Sequence, residues 1–119
     1  MILWHILLLL FAHTIADFVL QSREVAKGKS GSNYVLFKHV AIYTVGLCVV
    51  GPFLASPGPW MAFLAVNAVA HFATDWITSR LTTHFWKKEQ YHHFFTTIGF
   101  DQFAHVCALL ISYTVLLSP

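Results

Sequence analysis

The sequence predicts an all-α membrane protein: four transmembrane helices, paired as two tandem helical hairpins in one bundle. Three observations carry this. The chain has 119 residues, 57% of them hydrophobic and only 10% charged, where a soluble domain carries about 25% charged side chains. Four apolar segments each approach the ~20 residues that a helix needs to cross a bilayer. All 7 Lys and Arg residues fall in or beside alternate links between those segments. The length suits a single compact unit, 1–119, with no second domain. A net charge of +2 is too small to point to nucleic acid. Cys48 and Cys107 offer neither a metal spacing nor a disulfide framework.

The first segment covers 2–21. Its opening, Met1-Ile2-Leu3-Trp4, lacks a basic n-region, and the stretch contains His13 and Asp17. It is therefore expected to stay as a span, not to leave as a signal peptide. The link 22–33 is rich in Gly, Ser and Lys, as a solvated loop should be. The second segment, 34–55, ends at a tight turn, Ser56-Pro57-Gly58-Pro59, with Pro59 suited to the first turn of the next helix. The third segment is 59–80, the link 81–92 carries Lys87, Lys88 and Glu89, and the fourth segment is 93–117. Arg23, Lys27, Lys29, Lys38, Arg80, Lys87 and Lys88 mark the links 22–33 and 81–92 as cytoplasmic. Both termini are then outside, in a multi-pass protein of the inner, cytoplasmic membrane. Trp4 and Trp60 are expected at the outer interface and Trp86 at the inner one.

The chain looks duplicated. Ala12-His13-Thr14-Ile15-Ala16-Asp17-Phe18 is echoed by Ala70-His71-Phe72-Ala73-Thr74-Asp75-Trp76, and His39-Val40 by His105-Val106. Each half is then a hairpin starting from the same side, an arrangement known in membrane repeats. Polar residues recur one helical turn apart, which places them on one face. The stripes are His13, Asp17 and Gln21; His39 and Tyr43; Asn67, His71 and Asp75; and His93, Thr97, Asp101 and His105. In helices of alternating direction all four stripes fall in the same cytoplasmic layer.

That layer needs partners. An aspartate at a helix centre costs about 2.5–3.5 kcal/mol, so three unpaired ones approach ~10 kcal/mol, the whole stability of a small domain. A lone His–Asp pair is more often a clamp between turns than a ligand set. Seven such groups at one depth point instead to a metal held by His13, Asp17, His39, His71, Asp75, Asp101 and His105. Nitrogen and oxygen ligands without thiolate suit a divalent transition metal, zinc, manganese or iron foremost. Haem fits poorly, because an aspartate lies one turn from three of the four histidines. Gln21, Asn67 and Gln102 are expected to orient the ligands by hydrogen bonds, and His93 to continue the fourth stripe toward the cytoplasmic mouth. Tyr43 reads as packing, His5, His84 and His92 as interfacial side chains, and the Lys-rich links as lipid-headgroup contacts.

The runs His13-Thr-Ile-Ala-Asp17-Phe18-Val-Leu-Gln21, Asn67-Ala-Val-Ala-His71-Phe-Ala-Thr-Asp75 and Asp101-Gln102-Phe-Ala-His105 resemble a small bacterial and phage membrane family, domain of unknown function 3307. The resemblance covers nearly the whole chain. It implies an integral membrane protein sharing these polar positions and no particular activity. The family pattern often has a basic residue soon after the third-helix aspartate; here Thr78 follows at three positions and Arg80 at five.

The leading function is a metal-dependent hydrolase acting on a lipid or lipid-linked substrate, with Asp17 or Asp101 as the base that takes a proton from water. The alternatives are a metal-ion or proton transporter or channel subunit, and a metal-free structural or assembly subunit. Membrane lipids are the expected partners, with a homo-oligomer or a second membrane protein compatible with each reading.

Overall fold

The computed structural model describes residues 1–118, which form helices and turns with no strand among them. Helix α1, Ile2–Thr14, runs on into a π-helical turn, Ile15–Val19, closed by Leu20 N–H to the Ile15 carbonyl at 3.0 Å. Such wide turns inside α-helices recur at functional sites, and this one holds Asp17. Gln21 lies beyond the helix end, so the expected 2–21 span loses its last two residues.

The link 22–32 is not a plain solvated loop. Ser22 caps a short helix α2, Arg23–Gly28, by accepting from Val25 N–H at 3.3 Å, and Val25 is buried. Three contacts, one from the link and two from Asn33 just after it, seat this stretch on the third long helix. Thr83 bonds Ser30 at 2.9 Å, and Asn33 accepts from Trp76 Nε1 at 3.2 Å and from Arg80 at 3.0 Å. Arg80 also stacks over the Trp76 ring at 4.0 Å.

Ser32 caps α3, Asn33–Cys48, by accepting from Val35 N–H. The expected continuous 34–55 helix breaks after Cys48, and a separate turn, α4, Gly51–Leu54, follows. Pro52 is the cause: it has no N–H to give and its ring clashes with the carbonyl one turn back. Helix α5 runs Pro57–Lys87, 31 residues, from Pro57 and not Pro59. At 1.5 Å per residue it is about 46 Å long, which sets the 47 Å long axis of the molecule. It absorbs most of the expected third link, leaving only 88–90, where Glu89 has φ 56°. Helix α6, Tyr91–Ser112, ends in a second π-helical turn, Tyr113–Leu117.

Two stretches, Ile2–Val19 and Tyr91–Leu117, are long and apolar enough to cross a membrane. Helix α3 stops at 16 residues, and α5 interrupts its apolar run with Asn67, His71 and Asp75. Beyond the polar layer the core is aliphatic and aromatic. Leu9, Leu47, Phe63 and Leu109 are at most 1% exposed, and each lies one turn from a polar residue, respectively His13, Tyr43, Asn67 and His105. Trp60 is also in this core, not at an interface. It lies against Gly51 so closely that a Cβ there would stand 2.3 Å from Trp60 Nε1. The outward faces of all the long helices are apolar, with Phe11, Phe37, Val45, Val69, Phe100 and Phe103 exposed.

Candidate metal centre

The π-helical turn and a glycine bring the first two ligand groups together. A Cβ on Gly46 would sit 2.8 Å from Ala16 Cβ, so only glycine lets α3 approach the turn that carries Asp17. His39 Nε2 then lies 3.1 Å from Asp17 Oδ1. From α5, His71 and Asp75 complete a four-atom cluster. His39 Nε2 is 3.0 Å from His71 Nε2 and 3.3 Å from Asp75 Oδ2. His71 Nε2 is 3.4 Å from Asp17 Oδ1 and 3.5 Å from Asp75 Oδ2. All four residues are buried, and their ligand atoms lie within 4.8 Å of one another. Ligands about 2.0 Å from a tetrahedral ion stand about 3.3 Å apart. Five of the six edges here scatter about that value, and the sixth, between Asp17 and Asp75, lies within 4.8 Å.

Packing and hydrogen bonds fix these side chains. The His71 ring is sandwiched, with Tyr43 stacked on one side and His105 on the other, each at 4.1 Å between centroids. A ligating histidine usually donates its second ring nitrogen to an outer acceptor; His71 Nδ1 is buried with no partner, and the stack orients it instead. Asp75 is the hub. Its Oδ1 faces His105 Nε2 at 2.9 Å, and its Oδ2 accepts from Lys29 Nζ at 2.8 Å. Gln102 donates to Asp17 Oδ2 at 3.1 Å and to Asp101 Oδ2 at 3.0 Å. Thr78 donates to Asp101 Oδ1. Asp17, Asp101 and His105 form a second set with ligand atoms within 4.8 Å of one another.

The structure therefore gathers Asp17, His39, His71, Asp75, Asp101, His105 and Gln102. His13 stands at the edge, 3.9 Å from Asp17 Oδ2, bonded to Tyr43 OH through Nδ1 and to Gln102 Oε1 through Nε2, both at 3.0 Å. Gln21 lines the adjoining cavity, and its buried Oε1 has no partner. Two expected helpers lie elsewhere. Asn67 donates to the Phe63 carbonyl and to Ser112 Oγ. His93 is exposed with its ring against Phe85. A stripe at spacing four turns about 40° per step on a helix of 3.6 residues per turn, so His93 ends about 120° round from His105.

Three side chains have contacts that the sequence reading does not assign them. Tyr43 is not mere packing but the partner of His13 and the platform for His71. His5, expected at an interface, is half-buried and bonds Tyr113 OH at 2.8 Å. Lys29 reaches the buried carboxylates from a link that reads as a headgroup contact. Only the surplus of acidic charge in the layer hinted that a cation was due. A cavity of about 660 Å³ opens beside the centre, with Asp17, Asp101, Gln102 and Lys29 on its walls.

A family model described as protein of unknown function, DUF3307, matches residues 5–119. The chain belongs to that family. The DUF3307 match spans every residue of the cluster, from His13 to His105. No curated protein and no solved structure matches the chain.

Proposed function

We propose that this chain crosses the membrane with four helices and holds one divalent transition metal between His39, His71, Asp17 and Asp75, where it catalyses hydrolysis at the cytoplasmic face. The observation that carries the reading is the close approach of two imidazole nitrogens and two carboxylate oxygens, five of their six separations being 3.0–3.5 Å. A metal-free network accounts for it less well. His39 Nε2 carries at most one proton, yet it faces Asp17 Oδ1, Asp75 Oδ2 and His71 Nε2 together. Charge agrees. With neutral histidines, Asp17, Asp75, Asp101 and the Lys29 ammonium leave −2, which a single divalent ion cancels.

Four spans are supported by the apolar outer faces of α3 and α5, which would be costly patches in water. The two basic links lie at the cavity end, so that end is cytoplasmic by the distribution of Lys and Arg.

When bound, the ion supplies Lewis acidity and acidifies water. Asp101 is the proton acceptor: it lines the cavity with Thr78 and Gln102 fixing its two oxygens. Asp17 reaches both the cluster and the cavity. Conduction is less well supported, because Leu9, Leu47, Phe63 and Leu109 close the core one turn beyond the site.

The test is turnover by purified chain, stripped with a chelator and resupplied with zinc, manganese or iron, against phosphate-ester, phospholipid and peptide panels. Metal-restored hydrolysis, lost in Asp101→Asn, is expected. Absence of hydrolysis with every metal and panel refutes the enzyme.

A further inference from the structure

We propose that the cavity beside the metal centre takes the phosphate-monoester head of an amphiphile, with the hydrocarbon chain along its apolar wall. This deepens the hydrolase reading and rests on it for the reaction, though not for the binding.

The cavity is lined by two chemically distinct sets of residues. One is cationic: Lys27, Lys29 and Lys87 all line it. An ammonium has three N–H donors, and the one hydrogen bond of Lys29 Nζ goes to Asp75 Oδ2, which leaves two for a ligand. The other is apolar: Phe18, Trp86, Phe94 and Ile98. Ser79, only 6% exposed, is also among the lining residues, and its buried Oγ has no partner. A buried hydroxyl left unpaired is costly, so a group that bonds it is favoured there.

A phosphate monoester matches this set. It carries about −1.5 to −2 charge and three strong acceptor oxygens, against three ammonium groups and a hydroxyl. A carboxylate has half the charge and two oxygens. Asp17 and Asp101 also line the cavity and repel an anion, so the lysines and not the carboxylates hold the head. The volume of about 660 Å³ suits a head group with the first carbons of its chain; a free anion would fill only part of it. The reaction balances simply. Water oxygen forms a new bond to phosphorus, the ester P–O bond breaks, and the proton taken by Asp101 passes to the leaving alcohol. The products are inorganic phosphate and a neutral amphiphile.

The test uses decylphosphonate, whose P–C bond resists hydrolysis, titrated calorimetrically into the full chain in non-ionic detergent, with zinc and after chelation. The parallel arms are methylphosphonate, inorganic phosphate and decanol. Decylphosphonate is expected to bind roughly tenfold or more tightly than inorganic phosphate. Lys27→Gln with Lys87→Gln, both exposed in the folded chain, should weaken it about tenfold while leaving helicity unchanged. Ser79→Ala should weaken it less. Equal affinity for inorganic phosphate overturns the amphiphile, and the cavity is then a free-phosphate site. Decanol binding as tightly as the phosphonate, or lysine variants binding like the parent chain, overturns the phosphate head. Tight phosphonate binding without turnover of the matching phosphate ester sinks the hydrolase reading alone. Metal-dependent turnover of other esters without phosphonate binding sinks this inference alone.

Discussion

The two hairpins carry the same Asp–His bond. In the first, Asp17 of the α1 extension meets His39 of α3 at 3.1 Å; in the second, Asp75 of α5 meets His105 of α6 at 2.9 Å. They differ in everything that surrounds this bond. The first hairpin folds its link back so that Lys29 reaches Asp75, while the second has only residues 88–90 between its helices. The second adds Asp101, one turn before His105, where the first has Val35 before His39. His71 points its Nε2 into the cluster, but its counterpart His13 turns away to Tyr43 and Gln102. The repeated part builds a centre that can hold an ion, and the unrepeated part builds the access to it. Binding and reactivity are therefore separable by mutation.

Asp75→Asn should have the largest effect. Asp75 faces Lys29, His39, His71 and His105, and removing one member of a buried charge pair costs about 3–5 kcal/mol. Thermal unfolding in detergent should fall accordingly, with loss of metal. Asp17→Asn should lose metal with a smaller drop in stability, since no lysine is left unpaired; a larger drop than for Asp75 would reverse the ranking of the hairpins. Asp101→Asn should leave metal content intact and lower turnover by about 10²–10⁴-fold; loss of metal would place it among the ligands. His13→Gln should retain the metal and cost about 1 kcal/mol for each of the bonds to Tyr43 and Gln102 that it loses, whereas His71→Gln should lose it. Gly46→Ala tests packing alone, without touching a ligand. The added methyl meets Ala16 at 2.8 Å, and overpacking of this kind costs about 1–3 kcal/mol and should loosen metal affinity without abolishing it.

Much of this was legible in the chain, because helical spacing alone sets which polar groups share a face. The pairs His13 with Asp17, His71 with Asp75 and Asp101 with His105 do lie one turn apart, and Asp17, His39, His71 and Asp75 meet. What was not legible depends on events away from the period of the helix. Lys29 enters from a link held by Val25 and Ser30, contacts that no periodicity encodes. Tyr43 serves two histidines because α3 packs closely at Gly46. The third link shrinks to 88–90 because 81–87 has no helix breaker, so α5 simply continues, whereas Pro52 stops α3 inside an apolar run. The stripe through His93 failed for a geometric reason, since spacing four drifts steadily around the helix. The wide turn at Asp17 has no sequence signal that we can identify.

The most direct test is metal content. Elemental analysis of the chain purified in detergent, beside Asp75→Asn and His39→Gln, should find about one equivalent of zinc, manganese or iron per chain, absent from both variants. A chain that carries no transition metal, and retains none after incubation with zinc and desalting, contradicts the account.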